Sequence, residues 1–157
     1  MENKMEKWPK IGNKRQEGQS LLEVLTALGV AVIIIVALSI LAVSSLRNAQ
    51  HARAQAEATK YVNGGLEQVR TVRDRQGWSM FFSYAVPKCY SVQTSDWTLQ
   101  EDSSCSGVPV SGHIRTILLE DQTTPEGEGR KVTVTVSWTD SFGPNTSSAT
   151  TILTKWK

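Results

Sequence analysis

The chain has 157 residues, with 17 Lys and Arg against 15 Asp and Glu and two cysteines. That length suits one modest domain rather than two, and a formal net charge of +2 gives no reason to expect nucleic acid or an acidic substrate as partner. Hydrophobic residues make up 39%, near the low edge for a globular chain, and they are placed very unevenly.

Residues 1–18 carry five bases (Lys4, Lys7, Lys10, Lys14, Arg15) against three acids (Glu2, Glu6, Glu17). Between 19 and 46 the only charge is Glu23, and residues 47–157 hold twelve bases and eleven acids, close to neutral. From Val24 to Val43 the sequence VLTALGVAVIIIVALSILAV has no charge at all. At about 1.5 Å per residue it spans roughly 30 Å as a helix, the thickness of a bilayer's hydrocarbon core. It is apolar on every face, so only a membrane, or the interior of a bundle of many copies, would accept it. The five leading bases, set against Arg47, Arg53 and Lys60 beyond it, predict an N-terminus inside and a C-terminus outside. Ala42-Val43-Ser44 would serve as a signal-peptidase site. The apolar run is nonetheless longer than the roughly 7–15 residues of a signal h-region, and it begins beside an acid.

The junction reads Glu17-Gly18-Gln19-Ser20-Leu21-Leu22-Glu23-Val24. A charged leader ends in Gly, and five residues later one carboxylate stands at the head of an apolar helix. This resembles the processing site of type IV prepilins and pseudopilins. The resemblance implies that prepilin peptidase cuts after Gly18 and methylates Gln19 as the new N-terminus, and that Glu23 is the family's assembly glutamate. Ser20 and Leu21 occupy positions usually filled by Thr or Ser and by Leu. The sequence departs from the family at Gln19, where most members have Phe or Met, and in having no Pro between Pro9 and Pro87. Gly29 is thus the only helix breaker in the apolar run.

Glu23 also has a physical logic of its own. A carboxylate in a buried apolar helix costs several kcal/mol unless it is paired or neutralised. An amine at Gln19 lies one turn away on the same face, and in a staggered bundle the amine of a neighbouring copy can take its place. Charge left unpaired until the register is correct acts as a ruler for assembly. The alternative is that Glu23 snorkels to the lipid interface.

The resemblance implies an α+β chain: a leader over 1–18, a transmembrane and assembly half-helix over 19–46, an amphipathic half-helix over 47–76, and an extracytoplasmic antiparallel β head over 77–157. The expected partners are prepilin peptidase, other pilin or pseudopilin subunits, an inner-membrane assembly platform and, before assembly, membrane lipid. No cofactor and no enzymatic activity are expected. The location is the cytoplasmic membrane as a single-pass precursor, then a pilus or pseudopilus.

Beyond the apolar run, Ala49, Ala52, Ala56 and Thr59, followed by Val62, Leu66 and Val69, predict a helix face, with Arg53, Glu57, Lys60 and Glu67 opposite. Gly64-Gly65 interrupts it, so either the helix bends there or a β-strand crosses closely over it. Arg70, Arg73 and Arg75 read as favourable charge at a helix C-terminus. After Gly77 strands and turns are expected: an aromatic-rich Met80–Val86, a short strand at Cys89–Val92 and an irregular loop over Asp96–Gly112. His113–Glu120, the alternating Lys131–Thr139 and Thr146–Lys155 then form an antiparallel meander. Val132, Val134, Val136 and Trp138 lie on its buried face, and Asp140–Asn145 supplies a turn.

Cys89 and Cys105 have no CxxC or His-rich neighbourhood, which makes a poor zinc site. A disulfide outside the cytoplasm fits, worth about 3 kcal/mol by loop entropy; two free, partly buried thiols are the alternative. His51 and His113 lack any motif-spaced nucleophile or ligand partner. Asp121, Glu126 and Glu128 carry oxygen ligands suited to calcium, but a flexible acidic loop is the favoured reading. Trp78, Trp97, Trp138 and Trp156 are expected in core or interface packing.

Two functions of different class remain: a filament subunit, probed by cleavage after Gly18, and a non-polymerising single-span protein presenting a ligand-binding β-domain. DNA capture is disfavoured, because the near-neutral head lacks a face of phosphate-neutralising bases.

Overall fold

The computed structural model describes residues 16–125 and 127–155, with side chains from residue 20 onward. It falls into two compact units, 1–46 and 47–157. One helix, α1 (Gln16–Gln76), contributes to both. In the first unit every described side chain is exposed. The sequence there is apolar all round, so the helix has no polar face to give to water.

The second unit is an α+β layer pair, the C-terminal part of α1 packed on a small antiparallel sheet. After α1 comes a single-turn helix α2 (Trp78–Phe82), then β1 (Lys88–Gln93), β2 (Thr98–Glu101), β3 (Val108–Val110), β4 (His113–Thr124), β5 (Gly127–Asp140) and β6 (Gly143–Thr154). The sheet order is β2-β1-β4-β5-β6, with β3 paired to the start of β4 beyond the end of β1. The β4–β5–β6 meander follows the alternation read from sequence. Val132, Val134, Val136 and Trp138 are buried, while Thr133, Thr135 and Ser137 between them are half-buried on the opposite face. Each buried Val contributes about 2 kcal/mol of transfer free energy.

Against them α1 presents Ala58, Val62, Leu66, Val69 and Val72, which join Ile117, Leu119, Leu153, Tyr90, Leu99 and Phe81 in one core. Ala54 and Tyr61 pack at its margin. This corrects the expected face. Ala49, Ala52, Ala56 and Thr59 are exposed, and Ala52 and Ala56 each stand two residues before the inward-facing Ala54 and Ala58. Stepping back by four from Leu66 and Val62 leads to Ala58 and Ala54, and the larger aliphatics set the orientation because they bury more area.

Gly64-Gly65 resolves to the second of its two alternatives. The helix runs through both residues, and β5 crosses directly over Gly65. A Cβ there would stand 2.9 Å from Val134 Cγ1 and 3.1 Å from Arg115 Cδ, whereas one at Gly64 would meet nothing within 4 Å. α1 ends where Gly77, at φ 81°, returns its N–H to the Arg73 carbonyl at 2.9 Å.

Two further expectations are corrected. The aromatic-rich segment is not extended at its start: Trp78–Phe82 is helical, with the Phe81 N–H bonded to the Gly77 carbonyl at 3.1 Å. It places Phe81 in the core and brings Trp78 and Phe82 together with ring centroids 5.4 Å apart. The Asp96–Gly112 segment is not irregular throughout, since it contains β2 and β3. Ser111 and Gly112, at φ 48° and 80°, make the two-residue turn that pairs Val110 with His113.

Candidate functional site

Gly18 and Gln19 lie in the first turns of α1, followed by Glu23 on the exposed surface of the same helix. Among the described residues no cation lies within ion-pair distance of Glu23. Its carbonyl accepts a hydrogen bond from Thr26 Oγ1 at 2.9 Å. On both sides of it, sixteen Leu, Ile and Val side chains from Leu21 to Leu46 are each more than half exposed. A contiguous apolar surface of that extent is incompatible with water and marks a membrane or protein contact. The helix is long and apolar enough to cross a bilayer.

Cys89 and Cys105 are joined, with their Cα atoms 5.3 Å apart. The loop they close is ordered by Asp102. Its backbone N–H bonds the Cys89 carbonyl at 2.8 Å, and its carbonyl accepts from Cys105 N at 3.1 Å. One carboxylate oxygen takes the Ser104 N–H and hydroxyl, and the other takes the Gly107 N–H at 2.8 Å. These donors, Gly107 foremost, hold the Asp102 carboxyl below the usual range. Gly107 has no substitute here, because a Cβ would lie 2.7–2.8 Å from Ile114, the Arg115 carbonyl and Thr116.

Sequence reading left His51 without a partner, and the structure gives it one. Asp140 ends β5, and its Oδ2 lies 2.6 Å from His51 Nδ1. An ionised carboxylate only accepts, so Nδ1 carries the proton. Asp140 Oδ1 receives the Phe142 N–H at 2.8 Å, fixing the β5–β6 turn, and the Phe142 ring packs edge-on against His51 with centroids 5.3 Å apart. The His51 bond is the main reason, and the Phe142 N–H the next, that the Asp140 carboxyl titrates below its ordinary value. A signal for this existed in the sequence: His51 precedes Ala54 and Ala58 by three and seven residues, so it belongs to the inward stripe. His113 is a core residue, between Tyr61 and Trp138.

The three arginines near the end of α1 serve the fold. Arg70 reaches Glu67 and Thr151, Arg73 is buried, and Arg75 lies over the Trp97 ring at 4.9 Å. Trp138 is buried and Trp78 and Trp97 pack against the core; Trp156 lies outside the described residues. The expected acidic loop is a hairpin. Asp121 and Glu128 sit in β4 and β5, opposite Arg130 and Thr123, and Glu126 lies outside the described residues. Asp121 accepts from Arg130, a buried cation that also donates to the Phe82 and Tyr84 carbonyls. Among the described residues no group of three or more His, Cys, Asp or Glu side chains is placed to hold a metal ion.

No family model, curated protein or solved structure matches the chain.

Proposed function

We propose that this protein is a structural subunit, a minor pilin or pseudopilin, of a type IV pilus or type II secretion-like filament. In this reading prepilin peptidase cleaves after Gly18, and Gln19 becomes the N-terminus. The helix anchors the precursor in the cytoplasmic membrane with its C-terminal unit outside. An inner-membrane platform then transfers it from lipid to the company of other subunits. It is not an enzyme.

The observation that carries the reading is Glu23, a lone carboxylate at the head of a helix whose large apolar side chains from Leu21 to Leu46 are each more than half exposed among the described residues. Lipid alone accounts for the apolar surface but gives the acid no partner. A bundle of identical helices accounts for both, because each Glu23 meets an amine made by processing. The disulfide supports a C-terminal unit that folds in an oxidising space.

The test is the N-terminal mass of the protein from native membranes. A chain beginning at Gln19 is expected, and Gly18→Glu is expected to retain the leader. A wild-type chain that keeps residues 1–18 would overturn the proposal in favour of a single-span protein that does not polymerise.

A further inference from the structure

Near the turn end of the β4–β5 hairpin the C-terminal unit holds a cleft of about 340 Å³, within the usual range for small-molecule sites. The strand register builds it. Asp121 stands opposite Arg130 and Thr123 opposite Glu128, so all four lie on the face that carries Val132, Val134 and Val136. Phe82 of α2 lines the cleft from the helical side.

Arg130 is the unusual member, a cation only 3% exposed. Its Nη1 donates to Asp121 and its Nη2 to the Phe82 and Tyr84 carbonyls. Its Nε is buried and has no partner among the described residues. A buried donor left unpaired costs about 1–3 kcal/mol. Acceptors stand open around it. Asp121 gives one carboxylate oxygen to Arg130, and the Glu128 carboxylate and Thr123 hydroxyl bond to no described residue.

That inventory selects the ligand. An anion would satisfy Nε but would meet two carboxylates. A cation would suit the carboxylates but would sit beside the guanidinium and leave Nε bare. A hydroxyl group serves both, because its oxygen accepts from Nε while its proton goes to a carboxylate. Phe82 has Arg130 over its ring at 4.3 Å and is stacked with Trp78 at 5.4 Å, so selection rests on hydrogen bonds rather than on an open aromatic platform.

We propose that this cleft binds a neutral saccharide, with one hydroxyl on Arg130 Nε and neighbouring hydroxyls on Asp121 and Glu128. The site belongs to the C-terminal unit alone and stands whether or not the chain enters a filament.

The experiment uses the full chain, labelled with nitrogen-15, in micelles of a detergent without a sugar headgroup. Maltose, cellobiose, lactose and di-N-acetylchitobiose are titrated in turn and followed by NMR. Saturable shifts with at least one of them are expected at the Arg130 Nε–H signal and at the amides of 121–123 and 128–130. Added salt should leave them unchanged, since the ligand carries no charge. Glu128→Ala is expected to weaken binding several-fold. Glu128→Gln should keep most of it, because an amide oxygen still accepts from a hydroxyl. Glu128 is exposed, so both variants should melt as the wild type does. No saturable shift with any of the four sugars overturns the proposal. So do shifts confined to other parts of the chain. Equal loss in Glu128→Gln and Glu128→Ala, or tighter binding of glycinamide than of any sugar, would also overturn it and assign the cleft to a cation.

Discussion

Val36 in the apolar helix and Val136 in β5 carry the same side chain, yet Val36 is 53% exposed and Val136 is fully buried. The difference runs through the whole molecule. The C-terminal unit closes its own core with alternating strands and one helical stripe. The N-terminal unit has an apolar surface on every side, and each of its described side chains is exposed. A region of the first kind specifies a fold, and a region of the second kind specifies a medium. The medium is lipid or other copies of the helix, and the proposed function rests on Glu23 to distinguish between them.

The contrast can be broken at several places. Replacing Cys89 and Cys105 together by Ala removes a constraint with a sequence separation of 16 and is expected to lower the stability of the C-terminal unit by about 3 kcal/mol. Membrane insertion should not change. Denaturant melts and carbonate extraction, run on the same preparation, check both halves of that expectation.

Val136→Ala is expected to cost about 2 kcal/mol in the same melt, through lost burial and the cavity it leaves. Val36→Ala should not move the transition at all. If the two variants melt alike, the two regions share a cooperative unit and the comparison fails.

The neighbouring glycines of α1 sharpen the comparison at the level of one helical turn. Gly65→Ala pushes a methyl group against Val134 and is expected to destabilise by about 1 kcal/mol. Gly64→Ala adds a methyl in open space and is expected to gain roughly 0.5–1 kcal/mol by improving helix propensity. Opposite signs at adjacent positions are the expected result of the two thermal melts.

The smallest effect concerns pH. The folded Asp140 carboxyl titrates below its unfolded value because of His51 and the Phe142 N–H. Its contribution to stability is therefore full above about pH 4, the ordinary Asp value, and is lost as pH falls through the lower folded value. Asp102 behaves in the same direction through Gly107 and Ser104. Asp140→Asn should thus flatten the acid limb of the stability curve without abolishing it. Parallel acid limbs for the variant and the wild type would show that the His51 bond contributes nothing to the folded state.

Much of this was legible in the sequence because two signals are strong. An uninterrupted apolar run excludes water as its medium, and strict alternation at Lys131–Thr139 fixes one face of a strand. The small-residue stripe of α1 was misplaced by two positions, because Ala occurs on both sides of the helix and only Val62, Leu66 and Val69 discriminate between them. β2 and β3 escaped notice because four and three residues are too few for a periodicity to register. The His51–Asp140 bond was invisible because it joins residues 89 positions apart, and only the closed meander brings them together. Gly64-Gly65 offered two readings, and choosing between them required knowing which strand crosses the helix.

The account turns on Glu23, and the most direct measurement is the ratio of this subunit in sheared filaments to that in membranes. Glu23→Ala should insert and be cleaved normally, because the segment becomes more apolar, yet enter filaments poorly. Glu23→Gln should be milder, since an amide still hydrogen-bonds. Glu23→Lys should be the most severe, because it sets like charges together in a low-dielectric interior. A filament-to-membrane ratio for Glu23→Lys far below that of the wild type is the predicted result. Equal ratios would contradict the assembly role and leave a membrane anchor whose single acid only snorkels to the interface.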